Sequence, residues 1–313
     1  MLPPPLPLSL CLSGLRLGYG QDISAATLRD VLPWIVNLGC RAVQLSATAS
    51  GLKPRELDRS ARRDLAAVIR RVGLTVSGVD CLVPPEHFAK PEHQDRAVAA
   101  VGAACEFASE MASLLPAGYP TAAVTLLLHK ETPEDVQEAM AGHAEREGCV
   151  LCELNWPLLR AGNSLTSHQQ PRASSKAAAA AAALGPRNSL AVVPDVVPDV
   201  AAQTATAPGH GPFRMALDPA ALLMGGLDPL ALAARMGARL SHARLSDVST
   251  AGRIAPGSPD GRLDLMGYAV ALSAAQYNGP LVLDLRTVHD QAAAAQCAVS
   301  AWLSGNSQLS QFR

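Results

Sequence analysis

The stretch Gly148-Cys149-Val150-Leu151-Cys152-Glu153 is a short apolar run that ends on one charged residue. A continuous apolar run of this length is typical of a strand that is buried on both faces, as in a parallel sheet covered by helices. The same pattern recurs at residues 213–218, 240–244 and 280–284. Charged groups at the carboxyl ends of such strands are where a (β/α)8 barrel carries its chemistry.

Strand and helix patterns alternate along the rest of the chain. Helical patterns cover residues 54–72, 91–111, 132–147, 229–236 and 263–275. This alternation predicts a parallel sheet, and the number of units predicts an α/β fold that closes into a (β/α)8 TIM barrel. The predicted strands are residues 15–19, 41–45, 74–80, 122–129, 148–153, 213–218, 241–245 and 281–285.

The pattern predicts a single barrel domain over residues 14–305, after a loose segment at 1–13 and before a tail at 306–313. Residues 157–212 interrupt it with an alanine tract and a repeated Val-Val-Pro-Asp sequence. Such low-complexity sequence lacks the variety of side chains that a packed core needs. We expect it to be an expanded connection between the fifth and sixth strands.

Composition limits the class of protein. The formal net charge of −1 gives no general attraction to nucleic acid or to anionic lipid. The seven cysteines are scattered, as expected for reduced thiols in a cytoplasmic protein. Cys149 and Cys152 have C-x-x-C spacing, but residues three apart on a strand face opposite sides, which favours two core cysteines. The sequence shows neither a secretion signal nor an apolar run of the length that a membrane span needs.

The charged strand ends predict one shared site. If Glu153, Asp218, Arg244 and Asp284 all point inward, they form a ring on four consecutive strands. Three carboxylates that close cannot all stay ionised without a cation, and either a divalent metal or Arg244 could supply it. The alternative is that each acid caps the following helix or forms an ion pair at the rim.

The chain resembles the xylose isomerase-like TIM-barrel superfamily, which includes sugar phosphate isomerases and epimerases. The resemblance rests on residues 149–153, 215–218, 242–247, 257–264 and 277–284. It implies a divalent ion held by Glu, Asp, His and Glu from strands five to eight, with two acids also moving a proton next to a carbonyl. Glu153 and Asp218 match the first two ligands, and Asp284 stands in place of the last glutamate.

Arg244 departs from that pattern, because it stands where the ligand histidine belongs. A guanidinium has no lone pair for a metal and repels an approaching cation. We therefore expect no intact cofactor site. The alternative is a weakly bound Mn, Mg or Zn ion on Glu153, Asp218 and Asp284. His242 shares the inward face of Arg244 but lies one layer deeper.

The resemblance implies an isomerase or epimerase of small sugars or sugar phosphates. Glu153 and Asp284 would form the acid/base pair, and Arg244 would polarise the carbonyl in place of the metal. The further substrate-binding candidates are Asp218, His129, Asp247 and Arg286, while Arg253 and Arg262 would meet a phosphate or be surface charge.

A barrel that has lost catalysis is the alternative function. It would keep the four strand-end residues as an internal salt-bridge network and bind a ligand or a partner. A DNA-repair endonuclease of the same superfamily is excluded, because the strand ends offer too few histidines and no basic stripe. The expected partner is a small carbohydrate, and the sequence allows either a monomer or a homo-oligomer.

Overall fold

The computed structural model describes residues 6–16, 25–116, 122–154 and 213–311. Eight parallel strands close into a barrel, which confirms the predicted fold class. Around the ring the order is β1, β10, β7, β6, β5, β4, β3 and β2, so β3 and β7 lie on opposite sides. The barrel strands are β1 (Leu8–Cys11), β2 (Ala42–Ser46), β3 (Thr75–Asp80), β4 (Ala122–Leu126), β5 (Cys149–Glu153), β6 (Phe213–Leu217), β7 (Leu240–Leu245) and β10 (Leu281–Leu283).

Helices follow most of the strands and begin at side chains that suit that position. Asp58 and Asp264 each accept a hydrogen bond from the backbone N–H three residues on, which caps an otherwise unpaired first turn. The α-helices are α1 (Ala25–Asn37), α2 (Arg59–Arg71), α3 (Glu86–Ala89), α4 (Pro91–Leu114), α5 (Glu134–Glu147), α6 (Pro219–Met224), α7 (Pro229–Met236), α8 (Leu265–Ala274) and α9 (Gln291–Gln311), with 3-10 turns at Pro54–Glu56 and Gly237–Arg239.

The prediction for the start of the chain was wrong. The first strand is Leu8–Cys11 rather than residues 15–19, so it lies inside the segment that was expected to be loose. All four of its residues are buried, and it pairs with both β2 and β10. The prolines before Leu8 resemble a linker in sequence, but pairing on two sides fixes this short run as a strand. The expected tail also differs, because α9 continues to Gln311.

The loop after β7 contains a hairpin that the sequence did not indicate. Strands β8 (Asp247–Ser249) and β9 (Gly252–Ile254) pair antiparallel, with Asp247 opposite Ile254. These two short strands lie between β7 and α8, where no strand was predicted. The predicted insert at 157–212 lies outside the described residues.

Helix α4 is the one described helix that is long and apolar enough, by length and composition alone, to cross a membrane. It packs against β3, β4 and α5 on the outside of the barrel. Its buried residues include Val101, Cys105, Phe107 and Met111, as expected for a core-facing helix.

Polar side chains occupy part of the barrel interior. Ser9 of β1 and Ser77 of β3 share a 2.7 Å hydrogen bond, although β2 lies between their strands. Gln44 of β2 donates to Thr125 Oγ1 of β4 at 3.1 Å. All four are buried, so hydrogen bonds replace the water that these groups lose on folding.

Candidate functional site: an ionic cluster at the carboxyl ends of the strands

Arg244, on β7, is the centre of the site and is buried. Its Nη1 donates to Asp284 Oδ2 at 2.8 Å, and its Nη2 donates to Asp80 Oδ1 at 2.5 Å. Asp218 Oδ2 lies 3.9 Å from Nη1. Because β3 and β7 are on opposite sides of the ring, the contact with Asp80 crosses the barrel interior. The structure therefore brings three of the four predicted strand-end residues together.

Asp80 is the functional candidate that sequence reasoning missed. It ends β3 and is buried. Thr125 donates to its Oδ1 at 2.7 Å and in turn accepts from Gln44, so a chain of hydrogen bonds fixes the carboxylate that holds Arg244. The signal was present in the sequence, since residues 74–80 also form a mainly apolar run that ends on an acid.

Asp284 connects three arginines. Its Oδ2 lies 2.8 Å from Arg244 Nη1, 2.6 Å from Arg286 Nη2 and 3.8 Å from Arg253 Nη1. Arg286 also donates from Nε to Asp284 Oδ1 at 3.0 Å, and its Nη1 reaches Asp80 Oδ2 at 3.3 Å. Arg286, predicted as a substrate-binding residue, thus ties the ends of β10 and β3 together.

Asp218 combines the two roles that the sequence offered as alternatives. It caps α6, where its Oδ1 accepts from the Ala221 N–H at 3.4 Å. The same oxygen accepts from Ser246 Oγ at 2.6 Å, while Oδ2 pairs with Arg253. Arg253 reaches this position from β9, so the hairpin after β7 delivers it to the site.

These contacts define one group of side chains, called the charge cluster below. Three carboxylates balance three guanidiniums, so the formal charge is zero when all are ionised. The expected ring contained one positive charge for three acids, and the structure supplies two more. Its members are Asp80, Asp218, Arg244, Arg253, Asp284 and Arg286.

The pKa values of Asp218 and Asp284 are shifted in opposite directions. Burial raises the pKa of Asp284 to about 7, although Arg244 favours its ionised form. Burial also opposes ionisation of Asp218, but Arg253 and Arg244 outweigh it and hold the pKa of that carboxyl below its usual value. Asp284 therefore takes up a proton before Asp218 as the pH falls. Burial also lowers the pKa of His242, one layer deeper, to about 3, and the nearby Arg244 adds to this.

Three more predicted site residues, Glu153, His129 and Asp247, accept hydrogen bonds from backbone N–H groups. Glu153 is buried at the end of β5, and its Oε1 accepts from the Leu128 N–H at 3.1 Å. His129 is partly exposed and accepts from the Glu131 N–H at 3.2 Å. Asp247 Oδ1 accepts from the backbone N–H groups of Val248, Arg262 and Leu263 at 2.7–2.9 Å, so it holds the loop that leads to α8. Their roles with a substrate stay predictions.

Solved structures of known proteins share this architecture. A xylose isomerase-like TIM-barrel protein from Mycobacterium smegmatis, in complex with magnesium, has a TM-score of 0.58 and 13% identity, covering 97% of each chain. A sugar phosphate isomerase/epimerase from Parabacteroides distasonis has a TM-score of 0.57 and 11% identity, over 95% of this chain and 96% of the other. D-Allulose 3-epimerase from Methylomonas sp. has a TM-score of 0.56 and 13% identity, over 98% of this chain and 99% of the other.

This chain has the fold of a xylose isomerase-like TIM barrel. The predicted resemblance is confirmed at the level of architecture. No protein-family model matches the chain, and no curated protein matches it either. Because fold alone does not determine chemistry, the function must be argued from the residues at the mouth of the barrel.

The divalent ion that the xylose isomerase-like fold implies does not fit the residues of this cluster. Arg244 occupies the space between Asp80 and Asp284, and a guanidinium cannot coordinate a cation. Arg253 and Arg286 already neutralise the carboxylates that would have to hold the ion. Within residues 6–16, 25–116, 122–154 and 213–311, no three His, Cys, Asp or Glu side chains are placed to hold a metal.

Proposed function

We propose that this chain is a sugar isomerase/epimerase-like barrel that binds a small sugar or sugar phosphate at its mouth and uses Arg244 in place of a divalent metal. One observation carries the proposal: the Arg244 guanidinium contacts Asp80 and Asp284 and comes within 3.9 Å of Asp218. A buried guanidinium supplies a fixed positive charge and planar N–H donors for a carbonyl oxygen. The solved structures with this fold include sugar epimerases, which supports the carbohydrate ligand.

The proposed chemistry is proton transfer at a carbon next to a carbonyl. Arg244 would polarise the carbonyl, while Glu153 and Asp284 would act as the acid/base pair. The pKa of Asp284 is about 7, which suits a group that both gives and takes a proton near neutral pH. Glu153 lies at the end of β5, where its Oε1 accepts a hydrogen bond from the Leu128 N–H at 3.1 Å. Asp218, His129, Asp247 and Arg286 are proposed to contact the substrate.

A second function is favoured by the hydrogen bonds within the cluster. Asp80, Asp218 and Asp284 each already pair with at least one arginine, and such pairing favours the ionised carboxylate and weakens it as a base. This arrangement suits a barrel that binds a ligand without turnover. In both cases we place the protein in the cytoplasm, with a small carbohydrate as its partner.

Metal analysis and a substrate panel test the proposal. Purified protein is analysed for Mn, Mg and Zn, then assayed with ketoses, aldoses and their phosphates, with EDTA or with added Mn²⁺. We expect turnover in EDTA that Glu153→Gln abolishes and that Glu138→Gln, a control at an exposed glutamate of α5, leaves unchanged. Turnover that requires Mn²⁺ would contradict the role of Arg244. Ligand binding without turnover anywhere in the panel would support the second function.

A further inference from the structure

We propose that Arg253 and Arg286 form an anion-binding site at the mouth of the barrel, on the solvent side of Arg244. The ligand is therefore an oxyanion, either the phosphate of a sugar phosphate or the carboxylate of a sugar acid. This inference rests on the proposed function only for the sugar part of the ligand. The anion site itself follows from how the six charges are arranged.

The charges of the cluster lie in two layers. The side chains of Asp80, Asp218 and Asp284 are 1%, 6% and 0% exposed. Those of Arg253 and Arg286 are 17% and 16% exposed, whereas that of Arg244 is 1% exposed. A molecule that enters from solvent therefore meets two guanidiniums before it reaches a carboxylate. Although the formal charges cancel, the accessible side of the cluster is positive.

The two outer arginines lie close enough to hold one ligand group. Both approach the same oxygen, Asp284 Oδ2, with Arg286 Nη2 at 2.6 Å and Arg253 Nη1 at 3.8 Å. A phosphate or carboxylate has several acceptor oxygens, and planar guanidiniums match them with pairs of N–H donors. Two guanidiniums side by side thus suit an oxyanion better than a single neutral hydroxyl.

One donor of the outer pair is unsatisfied. Arg253 Nη1 is buried and has no hydrogen-bond acceptor among the described residues. A buried donor without a partner is costly, so an incoming acceptor gains free energy by satisfying it. The buried aspartates hold the guanidinium planes in position, which lowers the entropy lost when a ligand binds.

The alternative is that the outer arginines only cover the acidic layer. In that case they neutralise Asp218 and Asp284 and contact no ligand. The two possibilities differ in a measurable way, since a purely structural arginine affects stability but gives no anion binding to the wild-type protein.

Calorimetry with simple anions distinguishes a ligand-binding pair of arginines from a purely structural pair. Inorganic phosphate and acetate are titrated into the full chain, followed by fructose 6-phosphate, gluconate and uncharged fructose. We expect binding of at least one simple anion and weakening of it by about tenfold or more in Arg253→Gln and in Arg286→Gln. Arg71→Gln is the control, because Arg71 is an exposed arginine at the last residue of α2 and belongs to no proposed site, and the affinity of this variant should stay within about twofold of wild type.

Each result decides the question. If neither phosphate nor acetate binds wild-type protein below about 10 mM, the anion site is excluded. Equal affinities in wild type, Arg253→Gln and Arg286→Gln would also exclude it, and circular dichroism shows whether each variant is folded. Stronger binding of fructose 6-phosphate than of gluconate identifies a phosphate ligand, and the reverse identifies a sugar acid. Anion binding without sugar turnover supports this site while contradicting the isomerase activity.

Discussion

Removal of the Asp80 charge tests whether the cluster is held together across the barrel. Asp80→Asn keeps an oxygen for the 2.7 Å bond from Thr125, but it removes the negative charge 2.5 Å from Arg244 and 3.3 Å from Arg286. Breaking a buried ion pair by removing one partner costs about 3–5 kcal/mol. Arg244 retains Asp284, so we expect the lower end, about 3 kcal/mol, and for a chain of this size a fall in Tm of about 5 °C.

A double-mutant cycle isolates the interaction itself. The free energy of unfolding is measured in urea for wild type, Asp80→Asn, Arg244→Met and the double variant. We expect a coupling energy of about 2 kcal/mol, because the two charged groups are buried and in direct contact. The control pair is Lys53 and Glu56, which are partly exposed and 3.0 Å apart, so their coupling should stay below about 1 kcal/mol.

Two results would refute the reasoning. The first is an Asp80→Asn variant whose unfolding free energy lies within about 0.5 kcal/mol of wild type. The second is a coupling no larger than that of the Lys53–Glu56 control. Either would mean that the contact across the barrel interior contributes little to the folded state.

Three other outcomes are expected. Arg244→His should bind Mn²⁺ more tightly than wild type in electron paramagnetic resonance titrations, because imidazole is a metal ligand; equal affinities would count against Arg244 as the excluding group. His242 has a pKa of about 3 when folded and near 6.5 when unfolded, so the unfolded state binds more protons and stability falls as pH drops below about 6.5. His242→Gln should remove up to about 1.4 kcal/mol per pH unit of that loss between about pH 6 and pH 4. The free energy of unfolding is measured in urea at several pH values, and the same pH dependence in His242→Gln and wild type would refute this. Gly78→Ala should lower Tm more than Gly39→Ala, since both have positive φ but only at Gly78 would a Cβ meet the Ala123 carbonyl oxygen, at 2.6 Å; similar losses would show that backbone conformation alone sets the cost.

The alternating pattern made the barrel readable from the sequence. Apolar runs that end on charge located β5, β6, β7 and β10, and the strand period of two placed Arg244 and Asp284 on the inward face. The position of β1 could not be predicted from the sequence, because the preceding prolines resemble a linker. This strand is defined only by its pairing with β2 and β10. Local sequence thus predicted elements better than their exact limits.

The membership of the cluster depended on contacts between distant parts of the chain. Arg244 and Asp80 are 164 residues apart, and no local pattern predicts that they meet across the ring. Arg253 looked like loop charge until the pairing of β8 with β9 placed it beside Asp218. Glu153 was expected in the same ring and accepts a hydrogen bond from the loop after β4, so its part in the site stays a prediction.

Arg253, one of the two outer arginines, lies on the hairpin formed by β8 and β9 rather than on a strand of the barrel. Asp247, at its base, is fixed by backbone amides of the following loop rather than by the charge cluster. At the proposed anion site, a change in the length or sequence of this hairpin would therefore move Arg253 and alter which ligands bind. The eight-stranded barrel and the Asp80–Arg244 pair would stay unchanged. Selectivity and structural integrity would then evolve along separate routes in this protein.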